Sequence, residues 1–150
     1  MEKTATLIGR ILLGHIFVLA GISKITAYGA TQGYMNAMGV PGMLLPLVIL
    51  LELGGGLALV FGLQTRIVAA ALGAFCIVTA AIFHNNLADQ TQMIMFMKNF
   101  AMAGGLLYVV AFGAGALSLD AWLGKRRSGS TGSTGSTGSK GSTGHTAAHA

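Results

Sequence analysis

The chain has 150 residues, 53% of them hydrophobic and only 9% charged, where a soluble domain carries about 25% charged residues. That balance excludes an ordinary water-soluble enzyme and is a membrane protein's. The net charge of +5 and pI near 9.8 do not indicate nucleic acid, because the basic residues sort to one side of the apolar runs, and the single cysteine, Cys76, excludes an internal disulfide or a CxxC redox pair.

Four apolar runs approach the roughly 20 residues needed to cross a bilayer core about 30 Å thick. They show no period-2 alternation, so helices are expected rather than a barrel. The first, 6–25, carries Arg10 about one turn in and His15 deeper. Only Lys3 precedes it, Glu2 offsets that charge, and Arg10 breaks the apolar core, so a retained helix is expected rather than a cleaved signal peptide. A connection of 17 residues follows, "TAYGATQGYMNAMGVPG". Its Tyr28, Tyr34, Met35 and Met38 are expected at the membrane interface or over the mouth of the bundle.

The second run, 43–63, contains "VILLELGGGLAL". Its Glu52 falls about ten residues into the helix, near mid-membrane, where a charge costs about 2.5–3.5 kcal/mol and cannot snorkel to water. Gly54, Ala58 and Gly62 at steps of four offer a surface for close helix approach. The link "QTR" is so short that the third run, 67–84, must return antiparallel. Cys76 within it reads as a small buried hydrophobe, and His84 ends it. After "HNNLADQTQ" comes the fourth run, 93–119, interrupted at Lys98.

The expected fold is therefore all-α, an integral membrane four-helix bundle in up-down-up-down order over residues 1–123. Residues 124–150 are expected to form a disordered tail, basic and then Gly/Ser/Thr-rich. Lys125, Arg126 and Arg127 beside Trp122 read as an anchor to anionic lipid. His145 and His149 have helical metal spacing, but nothing there holds a helix. With the N-terminus inside, Lys3, Arg10, Arg66, Lys125, Arg126, Arg127 and Lys140 fall on the inner side, and only Lys24 and Lys98 on the outer. The positive-inside rule then places both termini in the cytoplasm.

On that topology Lys24, His84, Lys98 and Asn99 gather in the outer half with Glu52 below them. The expected pairing is Glu52 with Lys98, directly or through water, and Arg10 competes from below. A buried ion pair of this kind either fixes helix order or forms a functional site, and the residues leave both open. His15 and His84 lie roughly 12 and 25 Å from the inner face, so they do not share a haem, and no group has the spacing of a metal site.

The strings "FVLAGISKI", "GYMNAMGVPG", "LLELGGGLALVFGLQTR", "AAIFHNN" and "MFMKNFAMAGGLLYVVAFGAGALSLD" together resemble the DoxX family of small bacterial inner-membrane proteins. The resemblance runs from about Arg10 to Asp120 and implies a four-helix bundle in the inner membrane. It carries over Lys24, Tyr34, Pro41, Glu52, Thr65 with Arg66, His84, Lys98 with Asn99, Gly104, and Ser118 with Asp120. His15 and the tail depart from the family pattern.

Some relatives are described as parts of quinone-linked oxidoreductases. The resemblance thus implies a membrane subunit or accessory of such a system, with quinone as its non-covalent ligand, a redox protein as its partner and the bilayer around it. Glu52, Lys98, His84, Asn99, Lys24 and Tyr34 are then the candidate quinone or proton site. The alternative is a non-enzymatic scaffold or small-solute transporter whose charges lock the helices, with Arg10, Glu52 and Lys98 as the ion-pair set.

Overall fold

The computed structural model describes residues 1–130 as six helices. They are α1 (Glu2–Thr26), α2 (Tyr28–Ala37), α3 (Gly42–Phe61), α4 (Thr65–Phe83), α5 (Gln90–Phe112) and α6 (Leu119–Ser130). Four of them, α1, α3, α4 and α5, have 25, 20, 19 and 23 residues and mean hydropathy of 1.5 or more. At 1.5 Å per residue even the shortest spans about 28 Å, so each is long enough to cross the hydrocarbon. The bundle is all-helical, as expected.

The helices pack in two pairs. α1 lies along α3, α4 lies along α5, and the pairs meet chiefly where α3 turns into α4. Phe17, Leu59, Ala69, Leu72, Cys76 and Leu106 form the central core. The α1–α3 crossing is close because it is made at glycine. A Cβ on Gly14 would lie 2.9 Å from the Gly56 carbonyl oxygen, and one on Gly21 would lie 2.9 Å from Leu53 Cβ. Lipid tails give no hydrophobic drive, so contact of this closeness supplies the association. The expected ridge of Gly54, Ala58 and Gly62 is not one continuous packing surface: Gly54 is exposed and faces only Leu50 of its own helix, whereas Gly62 is buried against Arg10 and Ser118.

α3 is not uniform. It opens with a 3-10 turn at Gly42–Leu44 and contains a π-helical turn at Leu50–Gly54. The π-helical turn widens the backbone ring by one residue and re-aims the side chains on it. Glu52 is the middle residue of that turn.

The 17-residue connection is mostly helix. α2 lies across the end of the bundle and buries Met35. Its return to α3 is held by Gly42, whose N–H donates to Asn36 Oδ1 at 2.7 Å and whose carbonyl accepts from Gln32 Nε2 at 3.3 Å.

The fourth spanning helix differs from the expected 93–119. It starts at Gln90, where Asp89 Oδ1 accepts from the Gln92 N–H at 2.8 Å, and it stops at Phe112. Gly113 and Gly115 take φ of 78° and 76°, a left-handed backbone that L-residues with a Cβ avoid. The chain there turns inward, buries Ala114, and restarts as α6, which extends to Ser130. The rest of the Gly/Ser/Thr stretch, with His145 and His149, lies outside the described residues.

Candidate functional site

Glu52 is only 5% exposed, and the residue that meets it is Lys24. Lys24 Nζ donates to Oε1 at 2.9 Å and lies 2.8 Å from Oε2. The second contact is close but not aligned as a hydrogen bond, so Oε2 accepts none. The Lys24 side chain keeps 27% of its surface. An ammonium has three N–H donors, and one is spent on Oε1. The pair therefore combines a buried carboxylate with a partly open cation that has donors to spare.

The local fold explains the pairing. Arg10, Gly14, Phe17 and Gly21 are the buried residues of α1, and Lys24 continues their alternating steps of four and three. This single stripe faces α3. Glu52 is turned towards it by the π-helical turn, at the level where Gly21 admits Leu53.

Lys98, the expected partner of Glu52, does not reach it. It is exposed on α5 and makes no hydrogen bond or ion pair among the described residues. α5 packs on α4, whereas Glu52 faces α1, so matched depth did not mean adjacency. Asn99 Nδ2 donates to the Met95 carbonyl of its own helix at 2.9 Å.

His84 Nδ1 is 2.8 Å from Gln92 Oε1, a contact in which the ring N–H donates and which ties the end of α4 to the start of α5. Tyr34 reaches over from α2, its hydroxyl 3.5 Å from the Phe83 carbonyl and its ring 5.5 Å from that of Phe83. His84 and Tyr34 thus sit at the same end of the bundle as Lys24, without touching the pair. His15 Nδ1 is exposed and lies 2.6 Å from the Leu12 carbonyl.

Arg10 does not compete for Glu52 either. It is 2% exposed at the opposite end of α1, with NH1 donating to the Ala114 carbonyl at 2.6 Å and NH2 to the Leu117 carbonyl at 2.9 Å. Those carbonyls are free because the glycine turn after α5 leaves helical geometry.

Beside it Asp120 reaches back to cap α4. Its Oδ1 accepts from the Gln64 N–H at 2.7 Å, and Oδ2 accepts from the Thr65 N–H at 2.9 Å and hydroxyl at 2.8 Å. Partial burial works to raise the Asp120 carboxyl, but the Thr65 amide and hydroxyl, the Gln64 amide and the Arg10 charge together hold it below its ordinary value. In the sequence Arg10, Thr65 and Asp120 stand out only one by one, with nothing to show that they meet.

The DoxX family model matches residues 5–85. Inner membrane protein YqjF of Escherichia coli K12 is 49% identical over 126 residues, 84% of this chain and 97% of that protein. Inner membrane protein YphA of the same organism is 34% identical over 76% of this chain and 86% of its own length. "Putative oxidoreductase CatD" of Bacillus subtilis 168 is 35% identical over 66 residues, 44% of this chain and 49% of its own. No solved structure matches the chain. With four membrane-length helices and this likeness to inner-membrane proteins, the chain is a multi-pass inner-membrane protein and belongs to the DoxX family.

Proposed function

We propose that this protein is a membrane subunit of, or accessory to, a quinone-linked redox system, with both termini in the cytoplasm and the Lys24–Glu52 pair as its headgroup and proton site. One observation carries the reading: a nearly fully buried carboxylate, on a π-helical turn, is paired with an ammonium that remains partly open. Intramembrane ionisable residues are rare and mark proton relays and ligand sites. The name of the Bacillus subtilis relative calls that protein an oxidoreductase.

The residues present fit a quinone in two respects. Lys24 has N–H donors beyond the one it gives Glu52, and Glu52 Oε2 accepts no hydrogen bond. Beside the pair, Ile25, Tyr28, Pro46, Ile49, Leu50 and Leu53 line an apolar groove of about 560 Å³ between α1 and α3, a surface suited to a hydrocarbon tail. When bound, a quinone would supply two-electron, two-proton acceptor chemistry, with electrons from a partner redox protein.

In that setting Lys24 orients a carbonyl by hydrogen bonding, and Glu52 holds or releases a proton at Oε2. Tyr34 and His84, held on Phe83 and Gln92, lie at the same end of the bundle. Lys98 and Asn99, on the far side of the α4–α5 pair, fall outside this site.

The alternative is a helix lock in a scaffold or small-solute transporter, and the geometry that favours it is the placement of the pair across the glycine crossing of α1 and α3. Solvent extraction of gently purified protein separates the two readings. We expect quinone in extracts of the wild type and its loss from Glu52→Gln and Lys24→Met, while Lys98→Met retains it. Folded variants that keep full quinone content would leave only the lock.

A further inference from the structure

At the Arg10 end of the bundle a groove of about 550 Å³ opens between the start of α4 and the glycine turn after α5. Arg66 lies in it, exposed, and its only hydrogen bond among the described residues is a long one, NH2 to the Ala111 carbonyl at 3.4 Å. A guanidinium has five N–H donors in a planar fork, so most of the Arg66 fork is unspent. A Cβ on Gly113 would come within 3.3 Å of Arg66 Nε, so the turn passes the fork as bare backbone.

The walls are apolar and open: Ile67 is 70% exposed and Phe112 75%. They sit where α4 begins and α5 ends, the level at which acyl chains give way to headgroups. Asp120 also lines the groove and would repel an anion. However, both its oxygens are occupied by Gln64 and Thr65, and Arg10 offsets its charge.

α6 adds a second basic element. Ala121 lines the groove, and Lys125 stands one turn further along the same face. Arg126 is stacked on Trp122, with its guanidinium carbon 3.8 Å from the ring centre. Leu119, Trp122 and Leu123 are all more than 40% exposed at spacings of three and four, an apolar stripe beside cations of the kind that lies in a membrane interface.

We infer that this groove is a binding site for one anionic phospholipid, its phosphate on the Arg66 fork, its acyl chains along Ile67 and Phe112, and its headgroup flanked by Lys125 and Arg126. The apolar walls favour a lipid over a free phosphate, which would make no use of them. The site is separate from the Lys24–Glu52 pair, at the other end of the bundle.

The test is native mass spectrometry of the full-length protein in detergent, with dioleoylphosphatidylglycerol and dioleoylphosphatidylcholine added at equal concentration. Wild type should retain the phosphatidylglycerol preferentially. Arg66→Gln should reduce that retention roughly fivefold, the scale of one cation at an anionic surface, and Lys125→Gln with Arg126→Gln should reduce it as well. Lys3→Gln, at the same end but outside the groove, should leave it unchanged.

The paired α6 variant keeps the test open should Arg66→Gln fail to fold. Equal retention of the two lipids by wild type, or retention unaffected by both groove variants, would overturn the proposal. So would displacement of the phosphatidylglycerol by millimolar inorganic phosphate, because the site would then be one for a free anion.

Discussion

Lys24→Met tests the central pairing most directly. At 2.8 Å and an effective dielectric constant of about 20, the Coulomb attraction between the two charges is about 6 kcal/mol before desolvation is subtracted. Removing the ammonium strands a carboxylate that is 5% exposed, and such stranding costs about 3–5 kcal/mol. Proton uptake by the stranded group caps the loss. Neutralising an ordinary Glu at pH 7 costs about 1.4 kcal/mol for each of roughly 2.7 pH units, or about 4 kcal/mol.

The expected loss is therefore about 3–4 kcal/mol at pH 7. Titration with sodium dodecyl sulfate from a mild detergent, followed by far-UV circular dichroism, measures it. Glu52→Gln added to Lys24→Met should recover most of the loss, because no buried charge remains. Lys98→Met, on an exposed side chain without a partner among the described residues, should change stability by less than about 0.5 kcal/mol. If Lys24→Met costs under 1 kcal/mol, or if Lys98→Met matches it, the assignment of partners is wrong.

Three further outcomes are expected. Gly56→Ala would place a Cβ 2.9 Å from the Gly14 carbonyl oxygen and the Val18 nitrogen, and should cost about 1–3 kcal/mol in the same titration, whereas Gly54→Ala should be nearly neutral. Asp120→Asn leaves a single neutral carbonyl oxygen for the three donors of Gln64 and Thr65 and should lose about 1–2 kcal/mol of charge-assisted hydrogen bonding. Because the folded Asp120 carboxyl is held below its ordinary value, its contribution is present above the unfolded value and lost as pH falls through the folded one, so the variant and wild type should converge in acid. Gly113→Ala forces a Cβ into φ of 78° and should cost about 1–2 kcal/mol.

Much of the architecture was legible because hydropathy reports spans directly. The end of the last span was not, since "AFGAGALSLD" is apolar and rich in small residues whether it continues a helix or leaves one. Only the sign of φ at Gly113 and Gly115 separates the two cases.

The Glu52 partner was misassigned for a different reason. Counting residues from helix ends gives depth, and Lys24 and Lys98 share a side of the membrane, but depth is silent about which helices touch. A signal was present in α1. Arg10, Gly14, Phe17, Gly21 and Lys24 repeat at steps of four, three, four and three, which places both cations on the stripe that carries the small residues, and that stripe is the face a neighbouring helix must approach. The π-helical turn left no comparable mark, because nothing in "LLELG" distinguishes five-residue ring closure from four.

The Arg10 lock also sets an order in time. Arg10 enters with the first helix, but its two carbonyl acceptors come 104 and 107 positions later. At synthesis rates of about 5–20 residues per second, they emerge about 5–20 s afterwards. For that interval the guanidinium has none of its final partners, so the first and last parts of the chain complete the Arg10 end of the bundle together. A chain cut short before Ala114 would keep every spanning helix but leave the Arg10 guanidinium without either of its carbonyl acceptors.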